Sequence, residues 1–426
     1  MDKLPTTKLQ RTKVVAKATL KIGIKKGKSY IKRESKEQTQ EDIADIILQA
    51  LNELKGVSVK IAQTLVLGMP FLDESYLEKI GKTFDNITPI NRALIRKIIK
   101  QELTKSPEEI YEEFNLKSFA SASLGQVHIA KYRGEDVAVK VQYPGIAKSI
   151  DSDMAIIKFA LKRFSKGADI EHIVDELSDR LNEELDYLCE AKNSKKFLDA
   201  NKNPDIVIPK VIEELTTKKV LTTQFLKGLS FNKFLDSNPS QALRDKYAQL
   251  IFDNFFETLY GIKTVHADPN PGNFLFLDNA KLGIIDFGCI KEVSEEFLSS
   301  FNKLHLSLIK GDDELGIAKQ YMQLGMIEQG SDEEVLKFYK EIINPLDSIY
   351  IEIFKESSYS FKDSNYSKRG FDAIFEVQKR QATSVQNYNK DYIFIDRTLL
   401  GYYAMFERME ATIDTSYVKE LMTRFV

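Results

Sequence analysis

The sequence predicts an α+β protein with a small strand-containing lobe, a larger and predominantly helical lobe, and a helical extension ahead of both. Two observations carry this. Apolar residues recur at helical spacing up to about residue 115, then alternate as strands do in "VHIAKY", "EDVAVKVQY" and "KVLTTQFLKG". Beyond residue 231 helical spacing dominates, interrupted at residues 264–288 by "TVHADPNPGNFLFLDNAKLGIIDFG", a proline-punctuated loop, an apolar run and a second loop.

Composition narrows the class. At 43% hydrophobic and 29% charged residues, the 426-residue chain reads as soluble and globular, with room for a large core. Two cysteines cannot build a disulfide framework, which fits a reducing compartment. Four histidines and two cysteines, none at metal-ligand spacing, argue against a zinc site. No run of 18 apolar residues and no signal peptide are present, so a cytoplasmic protein is expected.

Residues 1–40 read as a basic arm. Residues 1–33 hold eleven Lys and Arg against one acidic residue, Asp2, leaving 50 basic and 62 acidic residues in the remainder. Lys13, Lys17, Lys21, Lys25, Lys28 and Lys32 follow helical spacing. One reading is peripheral contact of residues 1–33 with an anionic membrane surface. The other is a solvated tail, because Gly23 and Gly27 weaken a helix and the apolar residues do not gather opposite the lysines. No nucleic-acid partner is expected.

Residues 41–115 form the helical extension. Leu51, Leu54, Val57, Ile61 and Leu65 make one apolar stripe, and Pro89 and Pro107 mark helix starts. Residues 116–228 form the small lobe, whose first two strands turn around Gly134, with a return to helix over 150–200. Residues 229–426 form the helical lobe.

Four pieces match the needs of phosphoryl transfer, which are positioned phosphates, metal ions, a positioned acceptor and charge compensation. "ASASLGQV" places Ala120, Ala122, Gly125 and Val127 where kinases carry G-x-G-x-x-G-x-V, with Ser123 between them. Taken alone it is a small-residue turn before a strand. "VAVK" then ends in Lys140, one hairpin downstream, where a lysine pairs the α- and β-phosphates; a lone strand-end lysine is more often a solvated edge residue. In "NEELDYLCEAKN", Glu183, Asp186 and Glu190 fall at i, i+3 and i+7 of one expected helix face, flanked by Leu185, Leu188 and Ala191 as a packing edge. So acidic a run is ordinarily a solvated face. Finally "HADPNPGN" fits H-x-D-x-x-x-x-N with Asp268 and Asn273, and "IIDFG" supplies Asp286. Asp268 would position or deprotonate the attacking oxygen, while Asn273 and Asp286 would hold Mg²⁺ on ATP. Ordered matches over some 170 residues predict a two-lobed protein-kinase-like fold. His266 reads as structural support for this loop. Cys189 and Cys289 read as small buried hydrophobes.

A protein kinase would follow Asp-Phe-Gly with a long activation segment closed by Ala-Pro-Glu. Here "SEEFLSSFNKLHLSLI" resumes helical spacing within about ten residues of Gly288. The platform for a peptide substrate is missing, which favours a small or lipid-like acceptor, or ATP hydrolysis.

From about residue 50 to about 410 the chain resembles the UbiB/AarF atypical kinase-like family of coenzyme Q biosynthesis. The resemblance rests on "KIAQ", "LVLGMPFLDE", "FASASLGQVHIA", "VAVKVQYPGI", "EELDYLCEAKN", "HADPNPGNFL" and "IIDFG" in order. It implies that Lys60 and Gln63 belong to a K-x-G-Q motif on a helix that occupies the place of a protein substrate. It implies that Glu184 and Asp186 form an E-x-D motif and that Glu190 pairs with Lys140. An alanine-rich loop tied to nucleotide selectivity is also a family trait. The implied activity is ATP hydrolysis, or phosphorylation of a non-protein acceptor, in support of isoprenoid quinone synthesis, with an isoprenoid or quinone-like lipid as partner. The chain departs from the pattern at Ala62 (glycine in the motif), Ser121 (alanine in the loop) and Gln224 (an acidic hinge residue). "RTLLGYYAMFERM" stands where a family helix lies near the C-terminus but is too short and charged to span a bilayer. Two rivals to an enzyme of this kind are a nucleotide- and lipid-binding regulator without phosphotransfer, and a phosphotransferase acting on soluble small molecules.

Overall fold

The structure is a computed structural model. It describes residues 91–370 and 390–425, apart from 123, 145, 147–153, 155–180 and 182, together with 13–25 apart from 15 and 19, and positions 46, 372 and 373. Lys60, Gln63 and Ser123, with nearly all of the helices expected over 41–90, lie outside the described residues. The chain divides into two compact units, Met1–Cys189 with Val211–Phe225, and Glu190–Lys210 with Leu226–Val426.

The first unit is built on five strands: β1 (Glu113–Phe114), β2 (Ala120–Ala122), β3 (Gly125–Tyr132), β4 (Glu135–Gln142) and β6 (Val220–Gln224). Their order is β1-β3-β4-β6, with β2 paired to β3 and every pairing antiparallel. The β3–β4 hairpin turns through Arg133 (φ 52°) and Gly134 (φ 79°), the left-handed pair that a two-residue turn needs to match strand twist. Alternation in "EDVAVKVQ" sends Val137, Val139 and Val141 into the core and Ala138 and Lys140 to the other face. Each buried valine contributes roughly 1.5–3 kcal/mol. The core is closed by a helix, Arg92–Leu103, whose Ile95, Ile98 and Ile99 are buried at helical spacing. Asn91 caps it by accepting from Ala93 N at 2.9 Å. Pro107 does start a helix, but one of only four residues, Pro107–Ile110, before the chain extends into β1.

In the second unit the 22-residue helix Gln241–Ile262 is buried on much of its circumference, with Phe252, Phe255, Phe256 and Leu259 at its centre. Around it run β5 (Ile206–Val207), β7 (Gly228–Leu229), β8 (Thr264–His266), β9 (Phe274–Leu277), β10 (Lys281–Ile284) and β11 (Ile290–Glu292). They form a four-stranded sheet, β5-β10-β9-β7, and a two-stranded ribbon, β8-β11. A third pairing, β12 (Ser358–Ser360) with β13 (Thr412–Asp414), lies in the stretch where the sequence shows an irregular piece and then helix. The region of "RTLLGYYAMFERM" belongs to the helix Lys390–Met409, which buries Tyr402, Tyr403, Met405 and Phe406 in the core. No helix among the described residues is long and apolar enough to cross a membrane.

Three carboxyls lie in or against this core. Asp347 is buried and accepts from the Tyr321 hydroxyl, which also lies 3.0 Å from the Tyr392 hydroxyl. Burial raises its pKa to about 7, against the pull of hydrogen bonds from Tyr321 and Tyr339. Burial, and then the Asp347 charge, push Asp396 well up too, and burial pushes Asp253 to about 6. Folded-state values above the unfolded ones mean that the folded protein holds protons the unfolded chain has released. Stability is therefore greatest below the unfolded carboxyl pKa and is lost as pH rises towards about 7, by at most roughly 1.4 kcal/mol per pH unit for each such group. The melting temperature of the wild type is expected to fall between pH 5 and pH 8. In Asp347→Asn, which keeps an acceptor for Tyr321, the fall should be shallower, with the variant gaining on the wild type at pH 8. Parallel curves would show that Asp347 titrates normally.

Candidate active site

In the first unit the strand register sets the site residues in rows. Ala120 pairs with Val127, Val127 with Lys140, and Lys140 with Leu221, so these four side chains share one face of the sheet. In the next row Ala122 pairs with Gly125 and Gly125 with Gln142. The alanine-rich segment is thus strand up to a tight turn. Gly125 is needed there, since a Cβ would stand 2.4 Å from the Val141 carbonyl oxygen and 2.9 Å from the Tyr187 hydroxyl. The Lys140 ammonium lies 5.0 Å from the centroid of the buried Tyr187 ring. Gln224 ends β6, exposed.

The acidic run does not form one continuous helix face. Glu183 and Glu184 are helical, Leu185 turns, and Asp186 starts a new helix, Tyr187–Ala200, by accepting from Leu188 N at 3.0 Å. An aspartate in that place satisfies an otherwise orphaned amide, which is why the helix breaks there. Lys218 Nζ stands 3.6 Å from the other Asp186 oxygen. The expected packing edge is also displaced. Leu188 is 45% exposed, and the buried face runs through Tyr187, Glu190, Ser194 and Phe197. Cys189, off that face, is exposed rather than buried, and Cys289 is half-buried.

In the second unit two loops are clamped at both ends. The loop 267–273 runs from β8 to β9, and the loop 285–289 from β10 to β11. β8 pairs with β11 (His266 opposite Ile290), and β9 with β10 (Phe274 opposite Ile284). Ala267 N donates to Cys289 O, and Ile285 N to Asn273 O, both at 3.0 Å. Asn273 and Asp286 are therefore brought side by side although 13 positions apart. His266 reinforces this. Its Nε2–H donates to Asp286 O at 2.6 Å and its Nδ1 lies 3.3 Å from the Tyr402 hydroxyl, which itself donates to His266 O at 3.0 Å. With both ring nitrogens engaged and the ring buried, His266 holds the loops in place.

The first loop is also braced from within. Asn270 N donates to Asp268 Oδ1 at 3.2 Å, and Gly272 N to Asn270 Oδ1 at 2.8 Å. Asn273 Nδ2 donates to Asp268 O at 3.1 Å, which leaves Asn273 Oδ1 as the amide's acceptor. In the second loop Gly288 N donates to Asp286 Oδ1 at 2.9 Å, and Asn193 Nδ2 donates to Phe287 O at 3.0 Å. Phe287 is buried against Phe197 and His266. Among the described residues no group of three or more His, Cys, Asp or Glu could hold a metal by itself, so a cation here would be shared between these few oxygens and its ligand.

Gln142, Tyr187, Asn193, Gly401 and Tyr402 escape a sequence reading. Tyr402 lies 136 positions from His266, on an element with no catalytic motif. Burial and then the Asp268 carboxylate push its hydroxyl pKa well up, so it stays a neutral donor. Gln142 leaves no trace either, since the alternation of β4 puts it on the face of Lys140, where a polar residue is ordinary.

The sequence profile described as ABC1 atypical kinase-like domain matches residues 82–320. The Dictyostelium discoideum protein "Probable serine/threonine-protein kinase abkA" is 28% identical over 399 residues, covering 88% of this chain and 69% of that protein. The Arabidopsis thaliana chloroplast protein ACTIVITY OF BC1 COMPLEX KINASE 3 is 31% identical over 327 residues, 74% of this chain and 44% of that protein. An uncharacterized chloroplastic aarF domain-containing protein kinase of the same plant is 32% identical over 67% of this chain, which spans 41% of its length. A solved complex of Rv3197 with erythromycin from Mycobacterium tuberculosis superposes with a TM-score of 0.60 at 24% identity, covering 93% of this chain and 98% of that one, which shows a shared fold.

Gly401 leaves no room for a side chain beside the first loop, since a Cβ would stand 2.3 Å from Pro269 Cγ. Ala is ordinarily favoured over Gly in a helix by about 1 kcal/mol. Here the rigid proline ring cannot yield, and overpacking costs about 1–3 kcal/mol. Gly401→Ala is therefore expected to lower the melting temperature and slow any turnover dependent on Asp268. A raised melting temperature would show that the loop gives way freely.

Proposed function

Because the chain belongs to the ABC1 atypical kinase-like family, we propose that it is an atypical kinase or ATPase acting on Mg-ATP. Its phosphate acceptor is water or a non-protein molecule, and it supports isoprenoid quinone synthesis of the ubiquinone type. The observation that carries the acceptor is the shortness of the chain after Gly288. It enters β11 at Ile290 and the helix Glu295–Lys310 directly after, so no segment is left between them to hold a peptide. The protein-kinase activity in the name of the Dictyostelium relative would call for such a segment.

Asn273 and Asp286 offer hard oxygen donors from adjacent loops, suited to Mg²⁺. When bound, the ion would neutralise charge building on the phosphate oxygens. Lys140 is assigned to the α- and β-phosphates, with Glu190 as its expected partner, and Gln224 and the Ala120–Val127 hairpin to the nucleotide. Asp268 takes the proton of the attacking hydroxyl or water as that oxygen bonds to the γ-phosphorus and the bond to ADP breaks. Lys60, Gln63, Glu184 and Asp186 are assigned to restricting access to the site.

A quinone-like lipid is the proposed partner, and residues 1–33 the proposed contact with an anionic membrane. Within 13–25, Lys13, Lys17 and Lys21 are exposed beside Leu20 and Ile24, 66% and 51% exposed, a mixture suited to a charged lipid interface.

ATP turnover measured with and without anionic liposomes tests both parts. Asp286→Asn and Asp268→Asn should each lose on the order of 10²-fold or more in turnover. Wild-type turnover no higher than that of Asp268→Asn would favour a nucleotide-binding regulator. Equal rates with and without liposomes, and no co-sedimentation, would remove the membrane contact.

A further inference from the structure

We propose that Gln142 and Tyr187 are positioning residues that set the side chain of Lys140, the phosphate part of this role resting on the Mg-ATP reading. Gln142 lies two residues beyond Lys140 on the same face of β4 and is 3% exposed. A buried amide survives in a core only if its donors are satisfied. Its Nε2 donates both to Leu185 O and, at 3.1 Å, to Lys218 O. One side chain thus fastens the turn before the helix Tyr187–Ala200, and the turn before β6, to the strand that carries Lys140. Gln142 N donates to Lys219 O at 3.0 Å, so the backbone makes a parallel link.

Tyr187 follows Leu185 by two residues and its N–H donates to the same Lys218 carbonyl at 3.2 Å. The ring is therefore held where its face meets the Lys140 ammonium, while its hydroxyl abuts Gly125 under the hairpin turn. An aromatic face attracts an ammonium without consuming any of its three N–H donors. Lys140 is consequently aimed by its own sheet and by Tyr187. Glu184 and Asp186, on either side of the fastened Leu185, owe their place to the same amide.

The test uses the full chain and calorimetric titration with Mg-ATP and, separately, with adenosine, which has no phosphate for Lys140. Gln142→Met and Tyr187→Leu are expected to weaken ATP about tenfold or more while leaving adenosine within about twofold, the pattern of one misplaced charged contact. Tyr187→Phe, which keeps the ring face, should recover most of what Tyr187→Leu loses. ATP and adenosine weakened equally, or neither weakened, would overturn the role. Hydrogen exchange at the Tyr187 and Leu188 amides of the ligand-free protein gives a second readout. It should quicken in Gln142→Met, and also in Gln142→Glu, which has no N–H to donate; unchanged exchange would overturn the fastening. Failure of the wild type to bind Mg-ATP would instead sink the proposed function, with the exchange result still deciding the part played by Gln142.

Discussion

The arrangement on which the candidate chemistry depends is the double clamp on the two loops of the helical unit. Strand pairs β8–β11 and β9–β10 fix the ends of both loops, and two backbone hydrogen bonds between them, Ala267 N to Cys289 O and Ile285 N to Asn273 O, close the gap. An antiparallel ladder has little freedom of register where its faces are buried, so Asn273 and Asp286 are adjacent by construction. His266 adds a side-chain strut from one loop to the backbone of the other. Tyr402, high in pKa and buried, secures the carbonyl of that histidine from the helix Lys390–Met409. Oxygen donors held this way are organised before any ligand arrives, the preorganisation that the proposed phosphoryl transfer would draw on.

The strand unit solves a different problem. Its lysine must be neither swallowed by the core nor free in solvent. Alternation along β4 places three valines on the inner face and Lys140 on the outer, and cross-strand pairing lines it up with Val127 and Ala120. The same face then buries one polar residue, Gln142, whose amide binds two carbonyls of other segments. A purely apolar residue there would pack as well but take this donor from the Leu185 carbonyl, at roughly 1–3 kcal/mol for an unsatisfied acceptor, and leave the Lys218 carbonyl with the Tyr187 N–H. Local packing and the placing of Lys140 are thus met by the same strand.

The helical unit also carries a cost. Asp347 and Asp396 are enclosed by tyrosines, and burial keeps both carboxyls protonated far above their ordinary range. Buried His305, pushed to about 4, stays neutral beside Tyr350 and Tyr392. A core so rich in aromatic hydroxyls depends on proton placement for part of its stability, which makes it sensitive to pH in a way that an aliphatic core is not.

Much of this was readable in the order of residues. Hydrophobic period separated strand from helix, and Lys140, Asp268, Asn273 and Asp286 stood out because their spacing is short and local. The β3–β4 turn, the helix beginning at Glu295 and the α+β class followed from propensities acting over a few residues. Other features depended on the folded chain alone. The break at Asp186 came from a cap competing with helical continuation, and it moved Glu183 and Glu184 off the helix that bears Glu190. Gly401 against Pro269, Tyr402 on His266 and Gln142 on Leu185 join residues far apart in the chain. The sequence determined which groups are candidates for chemistry, since residue type and local spacing are read directly from it. The tertiary structure decided what holds them still, because such supports are contacts between distant segments and leave no period in the sequence.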